Sequence, residues 1–199
     1  MKFVAATANM GKLREMREIL QKLGIETISQ AEAGIEVAVE ETGATFYENA
    51  LLKAGAACRA TGLPSVADDS GLMVDALNGA PGVFSRRYGG GGLDDSGLCA
   101  YLLNKMENME QRGAKFVCSI VCVFPDGDII SAEGEIFGSI LTAPRGEGGF
   151  GYDPVFQPCG VDRSFAELSP GEKNAMSHRA IALNKFIHLL EKRSLKKEF

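Results

Sequence analysis

The chain has 199 residues, 45% of them hydrophobic, and a formal net charge of −5 at pH 7. That is enough for one large domain or two closely joined lobes, so we treat residues 1–199 as a single domain, and the acidic balance argues against a nucleic-acid polymer as the main partner. The N-terminal apolar run is too short for a signal peptide and no window approaches the roughly 18 apolar residues of a membrane span, so we expect a cytoplasmic protein.

Strands and helices are predicted to alternate along the first half of the chain. Apolar residues at helical spacing follow an N-terminal apolar run until Gly24, where the pattern stops. Thr45 and Glu48 form a capping-box pattern at the start of a second helix. The predicted elements are a strand at 2–7, a helix at about 11–23, strands at 25–29 and ending at Glu40, a helix at about 45–62, and a strand, a turn and a strand across 66–75.

The second half of the chain adds a hairpin. Its turn is Pro125-Asp126-Gly127, and a later capping box joins Ser169 to Glu172. The predicted elements are a helix at about 95–109, strands at 116–124 and 128–140, a glycine-rich loop PRGEGGFGYDP, and a helix at about 177–192. Strands that alternate with helices before an inserted hairpin predict an α/β fold with a mixed sheet.

The segment Thr7 to Lys12 joins the first predicted strand to the first helix. The first N–H groups of a helix and its positive dipole end meet there, and Lys12 adds a full charge, as in a phosphate site. The G-x-x-x-x-G-K-[ST] spacing of a Walker loop is absent. The other interpretation is an ordinary strand–turn–helix junction with a surface lysine.

Two acidic pairs, Glu40-Glu41 and Asp68-Asp69, follow predicted strands. If those strands are parallel neighbours, their carboxyl ends open into one crevice, where ligands of open α/β sheets bind. Buried carboxylates require a cation or hydrogen-bond donors, and oxygen-only ligands suit Mg²⁺. The five cysteines form no Cys-x-x-Cys pair, so a zinc site is not indicated. The alternative is that these acids are simply solvated.

Two further segments carry candidate ligand-binding residues. Gly146 to Asp153 combines glycines with an aromatic pair, so that backbone can approach a flat ligand while a ring stacks on it. Lys173 and the triplet Ser177-His178-Arg179 place several donors at a predicted helix start. The first segment is also compatible with a flexible turn and two core aromatics, and a single histidine is often only a packed residue.

Taken in order, five blocks of the sequence resemble the inosine triphosphatase family. They are TANMGK, EETGATFYENALLKA, ADDSGLMVDALNGAPGVFSRRY, GGFGYDPVF and EKNAMSHR, and the resemblance extends from Lys2 to about Leu190. It implies a two-lobed α/β fold with a long mixed sheet, flanking helices and a cleft between the lobes, with Mg²⁺ as cofactor and a homodimer as assembly. It also implies hydrolysis of ITP, dITP and XTP to the monophosphate and pyrophosphate.

The resemblance also implies roles for individual residues. Asp69 would be the general base and a metal ligand, and Glu40 would be the second metal ligand, with Glu41 as its substitute. Thr7 to Lys12 and Lys53 would hold the triphosphate, and Ser70 would touch the substrate. The implied substrate-binding residues are Thr7, Ala8, Asn9, Met10, Gly11, Lys12, Lys53, Ser70, Phe150, Gly151, Tyr152, Asp153, Lys173, His178 and Arg179. Two positions depart from the pattern: Ala8 where glycine is frequent, and Arg86 where a small residue is common.

Water attack on the α-phosphorus requires a base, a metal and cations for the departing pyrophosphate, which matches these roles. Two other functions stay open. One is a phosphatase or kinase that transfers the terminal phosphoryl group, and product analysis separates it. The other is a nucleotide sensor, which would bind without forming product.

Overall fold

The computed structural model describes residues 1–22 and 24–196. Leu23, predicted to lie on the apolar face of the first helix, is outside the described residues. The strands are β1 (Lys2–Ala5), β2 (Glu26–Ser29), β3 (Ser65–Val74), β4 (Gly113–Val123), β5 (Ile129–Ile140) and β6 (Phe156–Pro158). The α-helices are α1 (Met10–Gln21), α2 (Phe46–Thr61), α3 (Asp95–Lys105), α4 (Pro170–Met176) and α5 (His178–Lys196). Short 3₁₀ helices cover Asp75–Leu77, Gly82–Arg87, Asp153–Val155 and Phe165–Glu167.

The strands form one mixed sheet in the order β2-β1-β3-β4-β5-β6. β1 is parallel to both β2 and β3, whereas β5 and β6 are antiparallel. The alternation of strands and helices at the start of the chain produces the parallel pairs, because parallel neighbours need a crossover between them. The predicted α/β class with a mixed sheet and flanking helices is therefore confirmed.

Two local predictions are wrong. The strand predicted to end at Glu40 is absent, since residues 35–43 form neither helix nor strand. Ile35, Val37 and Val39 are half-buried, as the alternating pattern predicts. The N–H of Val37, however, donates to the Gln30 side chain at 3.1 Å and not to a neighbouring strand. The turn predicted within residues 66–75 is also absent, because β3 continues through Asp68, Asp69 and Ser70 as a single strand.

The chain divides into two compact units. Unit 1 comprises residues 1–69, 118–134 and the described residues from Arg179 onward. Both faces of β1 are covered there: Phe3 and Ala5 belong to a core with α1 and α5, whereas Val4 and Ala6 belong to a second core with α2. This division follows from the two-residue period of a strand.

Unit 2 comprises residues 70–117 and 135–178. Its core is rich in aromatic rings, with Phe116 lying 4.7 Å from Phe156 and 5.9 Å from Phe165 between ring centroids. Leu72, from β3, is wholly buried in the same core. Among the residues that the structure describes, no helix is long and apolar enough to cross a membrane.

Candidate functional site

The segment from Thr7 to Lys12 forms the predicted junction between β1 and α1. Asn9 caps the helix, accepting a hydrogen bond from the backbone N–H of Lys12 at 3.1 Å, and Thr7 Oγ1 accepts one from the N–H of Asn9 at 3.1 Å. Lys12 is not an ordinary surface lysine, because only 15% of its side chain is exposed and its Nζ lies 3.1 Å from Asp68 Oδ2. The junction therefore has a fixed turn with a partly buried cation on its helix.

Asp68 lies at the centre of a buried ion-pair cluster in unit 1. Its Oδ2 accepts hydrogen bonds from Arg179 Nε at 3.1 Å and Nη2 at 2.9 Å. Nη1 of the same guanidinium pairs with Glu15. Burial by itself would raise the pKa of Asp68, but the charges of Lys12, Arg179 and Lys53 outweigh it and hold that pKa well below its usual value. We call Lys12, Glu15, Asp68 and Arg179 the buried cluster.

Asp69 takes part in a different set of contacts, all of them in unit 1. Lys53, on α2, lies with its Nζ 3.0 Å from Asp69 Oδ1 and 2.9 Å from Glu41 Oε1. Asn49, also on α2, donates from Nδ2 to Asp69 Oδ2 at 3.3 Å. Neighbouring side chains of a strand point to opposite faces, so Asp69 contacts α2 whereas Asp68 contacts α1 and α5. We call Glu41, Asn49, Lys53 and Asp69 the lysine-linked carboxylate site.

The charges of this site shift the pKa of its titratable groups. Burial raises the pKa of the Asp69 carboxyl above its ordinary value, although Lys53 and Lys12 oppose the shift. Burial would lower the pKa of Lys53, but the charges of Asp69, Asp68 and Glu41 raise it. Lys53 therefore stays protonated, and Asp69 is a stronger base than an exposed aspartate, which suits a group that accepts a proton.

The chemistry of these residues fits Mg²⁺. Mg²⁺ takes one or two protein carboxylates and completes its shell with water and substrate phosphate. Asp69 and Glu41 supply two carboxylates that already share one cation. In the described part of the chain no three His, Cys, Asp or Glu side chains are grouped to hold a metal. Glu40, the predicted second ligand, is exposed, whereas Glu41 is half-buried and pairs with Lys53.

The glycine-rich segment of unit 2 is an ordered loop. Asp153, 2% exposed, accepts hydrogen bonds from the Phe150 N–H at 2.8 Å and from Lys173 Nζ at 2.7 Å. The ammonium of Lys173 also lies 4.4 Å from the centroid of the Phe150 ring. Gly149 has a φ of +74°, and a Cβ there would lie 2.1 Å from Asp153 Oδ2, so the tight contact requires glycine.

α3 holds the centre of the same loop. Asp95 Oδ2 accepts a hydrogen bond from the Gly151 N–H at 2.7 Å, and the Cys99 thiol donates to the Gly151 carbonyl at 3.3 Å. Burial raises the pKa of Cys99 to about 12, so this thiol remains protonated and able to donate. The Tyr152 hydroxyl donates to the Ser85 carbonyl at 2.9 Å. Hydrogen bonds therefore hold the loop at Phe150, Gly151 and Tyr152.

His178 and Arg179, which are neighbours at the start of α5, have different contact partners. His178, 5% exposed, stacks on Phe116 with ring centroids 4.8 Å apart and an interplanar angle of 10°. It belongs to unit 2 with Lys173 and the half-buried Ser70. Arg179, in contrast, belongs to the buried cluster of unit 1.

Three residues with carboxylate or amide side chains in these contacts were not identified from the sequence: Glu15, Asn49 and Asp95. A signal for Asn49 was present, since it precedes Lys53 by four residues on a helix and therefore shares its face. Glu15 shares a face with Lys12 in the same way. For Asp95 no local signal exists, because its partner Gly151 is distant along the chain.

Comparison with known proteins adds independent findings. The model of the Ham1 family matches residues 3–189. The chain is 50% identical over 185 residues to a dITP/XTP pyrophosphatase of Thermus thermophilus, covering 92% of this chain and 88% of that one. It is 48% identical over 190 residues to a dITP/XTP pyrophosphatase of Streptomyces coelicolor, covering 94% and 95%. The solved structure of a HAM1 protein from Coxiella burnetii has a TM-score of 0.88 and 43% identity, covering 96% and 99%.

Proposed function

The chain belongs to the Ham1 family, and from that premise we propose that it hydrolyses deaminated purine nucleoside triphosphates to the monophosphate and pyrophosphate. ITP, dITP and XTP are the substrates. The names of its relatives support the substrate class, and the resemblance seen in the sequence is confirmed by the family match. The observation that carries the chemistry is the lysine-linked carboxylate site, which combines a basic carboxylate, a second carboxylate and a cation.

Asp69 is proposed as the general base that accepts a proton from the attacking water. Its raised pKa supports this role, because a base works best when its pKa lies closer to the working pH. Asp69 and Glu41 are also proposed to hold Mg²⁺, with Glu40, the ligand expected from the sequence, exposed and outside these contacts. Bound Mg²⁺ supplies charge neutralisation at the phosphates.

Positive charge for the phosphates comes from α1 and α2. Lys12 and the turn from Thr7 to Gly11 are proposed to bind phosphate oxygens, because the start of α1 combines the positive end of the helix dipole with the charge of a lysine. Lys53 is proposed to stabilise the departing pyrophosphate. Lys12 is partly buried and ion-paired, so its side chain is held in place before substrate arrives.

The residues of unit 2 are proposed to recognise the nucleoside. Ser70, Gly151, Tyr152, Asp153, Lys173 and His178 keep the substrate-binding role that the resemblance implies, with Phe150 providing a ring for stacking. The fixed backbone from Gly149 to Asp153 supports this role, since a rigid loop loses little conformational entropy on binding. Arg179, whose guanidinium pairs with Asp68 and Glu15, is proposed to contact the purine base of the substrate. The implied homodimer and cytoplasmic location also stay proposals.

Product analysis tests the proposed function. The purified chain is incubated with Mg²⁺ and each of ITP, dITP, XTP, GTP and ATP, and pyrophosphate is resolved from orthophosphate. Equal amounts of monophosphate and pyrophosphate from ITP, dITP and XTP are expected. Orthophosphate as the first product would identify a terminal phosphatase instead, and binding without turnover would identify a sensor. Asp69→Asn is the matched control for contaminating activity.

A further inference from the structure

We propose that Asn49 is a positioning residue for this reaction: its amide holds the Asp69 carboxylate and the loop that carries Glu41 in one fixed arrangement. The inference rests on the proposed function, in which Asp69 is the base. Asn49 itself touches neither water nor phosphate in this role. It acts through the two groups to which it is hydrogen-bonded.

The burial of Asn49 requires that its amide be hydrogen-bonded. The residue is 0% exposed, and a buried amide without partners is strongly unfavourable. Its Oδ1 accepts from the Gly43 N–H at 2.8 Å, and its Nδ2 donates to Asp69 Oδ2 at 3.3 Å. A backbone N–H needs an acceptor and a carboxylate needs a donor, so these partners determine which way the amide faces.

Gly43 is packed against this amide. A Cβ at position 43 would lie 2.7 Å from Asn49 Oδ1 and 2.9 Å from the Asn49 backbone nitrogen. Only glycine lets the loop approach α2 this closely. Glu41 lies two residues earlier in the same loop, so the contact between Gly43 and Asn49 also limits where the Glu41 carboxylate can be.

Asn49 and Lys53 lie one turn apart on α2 and hold Asp69 from the same face of the helix. Lys53 donates to Oδ1 and Asn49 to Oδ2, so each carboxylate oxygen has its own donor and rotation of the carboxylate is restricted. Lys53 also donates to Glu41 Oε1. One helix turn thus determines the orientation of the base and its distance from the second carboxylate.

Two substitutions separate the structural bond of Asn49 from the positioning bond. Asn49→Asp keeps the shape and the acceptor for Gly43 N–H, and its ionised form replaces the amide donor to Asp69 by a second negative charge. Asn49→Ala loses both bonds. Because small misplacements of a reacting group cost up to about 10²-fold, we expect both variants to lower kcat for ITP by about tenfold or more. KM should change by less than about threefold, since uniform substrate binding is not removed.

Thr45→Ala is the matched control on the same helix. Thr45 caps α2 through a hydrogen bond from the Glu48 N–H at 3.1 Å and is not among the residues proposed for chemistry or binding. Its loss weakens the start of α2 in the way a purely structural change would. We expect kcat of this variant to stay within about twofold of wild type, while its thermal unfolding temperature falls.

A double-mutant cycle decides whether Asn49 acts through Asp69. In the Asp69→Asn background, Asn49→Ala should cause no further loss of kcat, because groups that act as a unit are not additive. The proposal would be overturned if the losses of kcat caused by Asp69→Asn and Asn49→Ala multiplied in the double variant. It would also be overturned if Asn49→Asp kept the wild-type kcat. The proposal would also be overturned if circular dichroism showed that both Asn49→Asp and Asn49→Ala are unfolded, because the role of Asn49 would then be structural. Wild type that yields orthophosphate from ITP would overturn the proposed function instead, whatever the variants show.

Discussion

Asp68 and Asp69 are adjacent in β3, yet their carboxylates belong to different ion-pair networks. Asp68 pairs with Lys12 and Arg179, whereas Asp69 pairs with Lys53. The guanidinium of Arg179 and the ammonium of Lys12 both contact Oδ2 of Asp68, and the Asp68 side chain is wholly buried. Asp68 therefore balances buried charge in its cluster, whereas Asp69 is the residue that we propose as the general base.

Asp69→Asn tests the assignment of the base. The substitution keeps the shape and removes the proton acceptor and one carboxylate charge, so kcat for ITP should fall on the order of 10²-fold or more. KM should rise much less than kcat falls. The measurement is steady-state hydrolysis with pyrophosphate detection. A variant that keeps more than about a tenth of wild-type turnover would exclude Asp69 as the base.

Asp68→Asn should destabilise the fold rather than act on chemistry alone. It leaves Arg179 and Lys12 buried with one carboxylate fewer, and breaking a buried pair on one side typically costs about 3–5 kcal/mol. Urea unfolding followed by circular dichroism measures the change in the free energy of unfolding. The matched control is Asp128→Asn, whose carboxylate accepts from Arg193 at an exposed site, where about 0–1 kcal/mol is expected. If Asp68→Asn and Asp128→Asn lowered the free energy of unfolding equally, Asp68 would contribute no more than an exposed carboxylate, contrary to this prediction.

The stability that Asp68 contributes should depend on pH. Its pKa is lowered in the folded chain, so the contribution is fully present above the unfolded pKa of about 3.9 and is lost as pH falls toward the folded pKa. The difference in unfolding free energy between wild type and Asp68→Asn should therefore be constant near pH 7 and narrow below about pH 4. A difference that widens on acidification would have the wrong sign for this cluster.

His178→Phe tests how the purine base of the substrate is recognised, and it keeps an aromatic ring to stack on Phe116. The 6-oxo group of hypoxanthine accepts hydrogen bonds where adenine has an amino donor, and phenylalanine removes the hydrogen-bonding ring nitrogens of His178. Loss of one such bond should lower kcat/KM for ITP by about tenfold or more, with ATP little changed. The ratio of kcat/KM between ITP and ATP measures this. Arg179→Ala is less informative, because it also leaves Asp68 and Glu15 without their guanidinium.

Gly149→Ala should disturb the loop of unit 2. The φ of +74° strains any side chain, and the added Cβ would lie 2.1 Å from Asp153 Oδ2, which holds Lys173 and the Phe150 N–H. We expect KM for ITP to rise by about tenfold. Gly160→Ala is the control, because its φ of +78° is similarly strained but no atom lies within 4 Å of the new Cβ. A similar rise in KM for both would show that only backbone strain matters.

Local chemistry was sufficient for much of the prediction. The capping boxes at Thr45 and Ser169, the turn between β4 and β5, and the junction before α1 depend on residues a few positions apart. The ordered blocks of the sequence likewise identified the family. The two-residue alternation at 35–40, however, predicted a strand that the structure does not contain at these residues. Burial of alternate side chains does not by itself provide the backbone hydrogen bonds to a neighbouring strand that a sheet requires.

Only the tertiary structure decided how the site residues are paired. Arg179 meets Asp68 across 111 residues of sequence, and Asn49 meets Asp69 across 20. The pairing of Glu41 with Lys53 on α2 likewise could not be read from two adjacent glutamates. Such pairs depend on which strand face meets which helix. Local propensity determines the elements, but packing them against each other determines which buried charges come within hydrogen-bonding distance, because each buried charge must find a partner there.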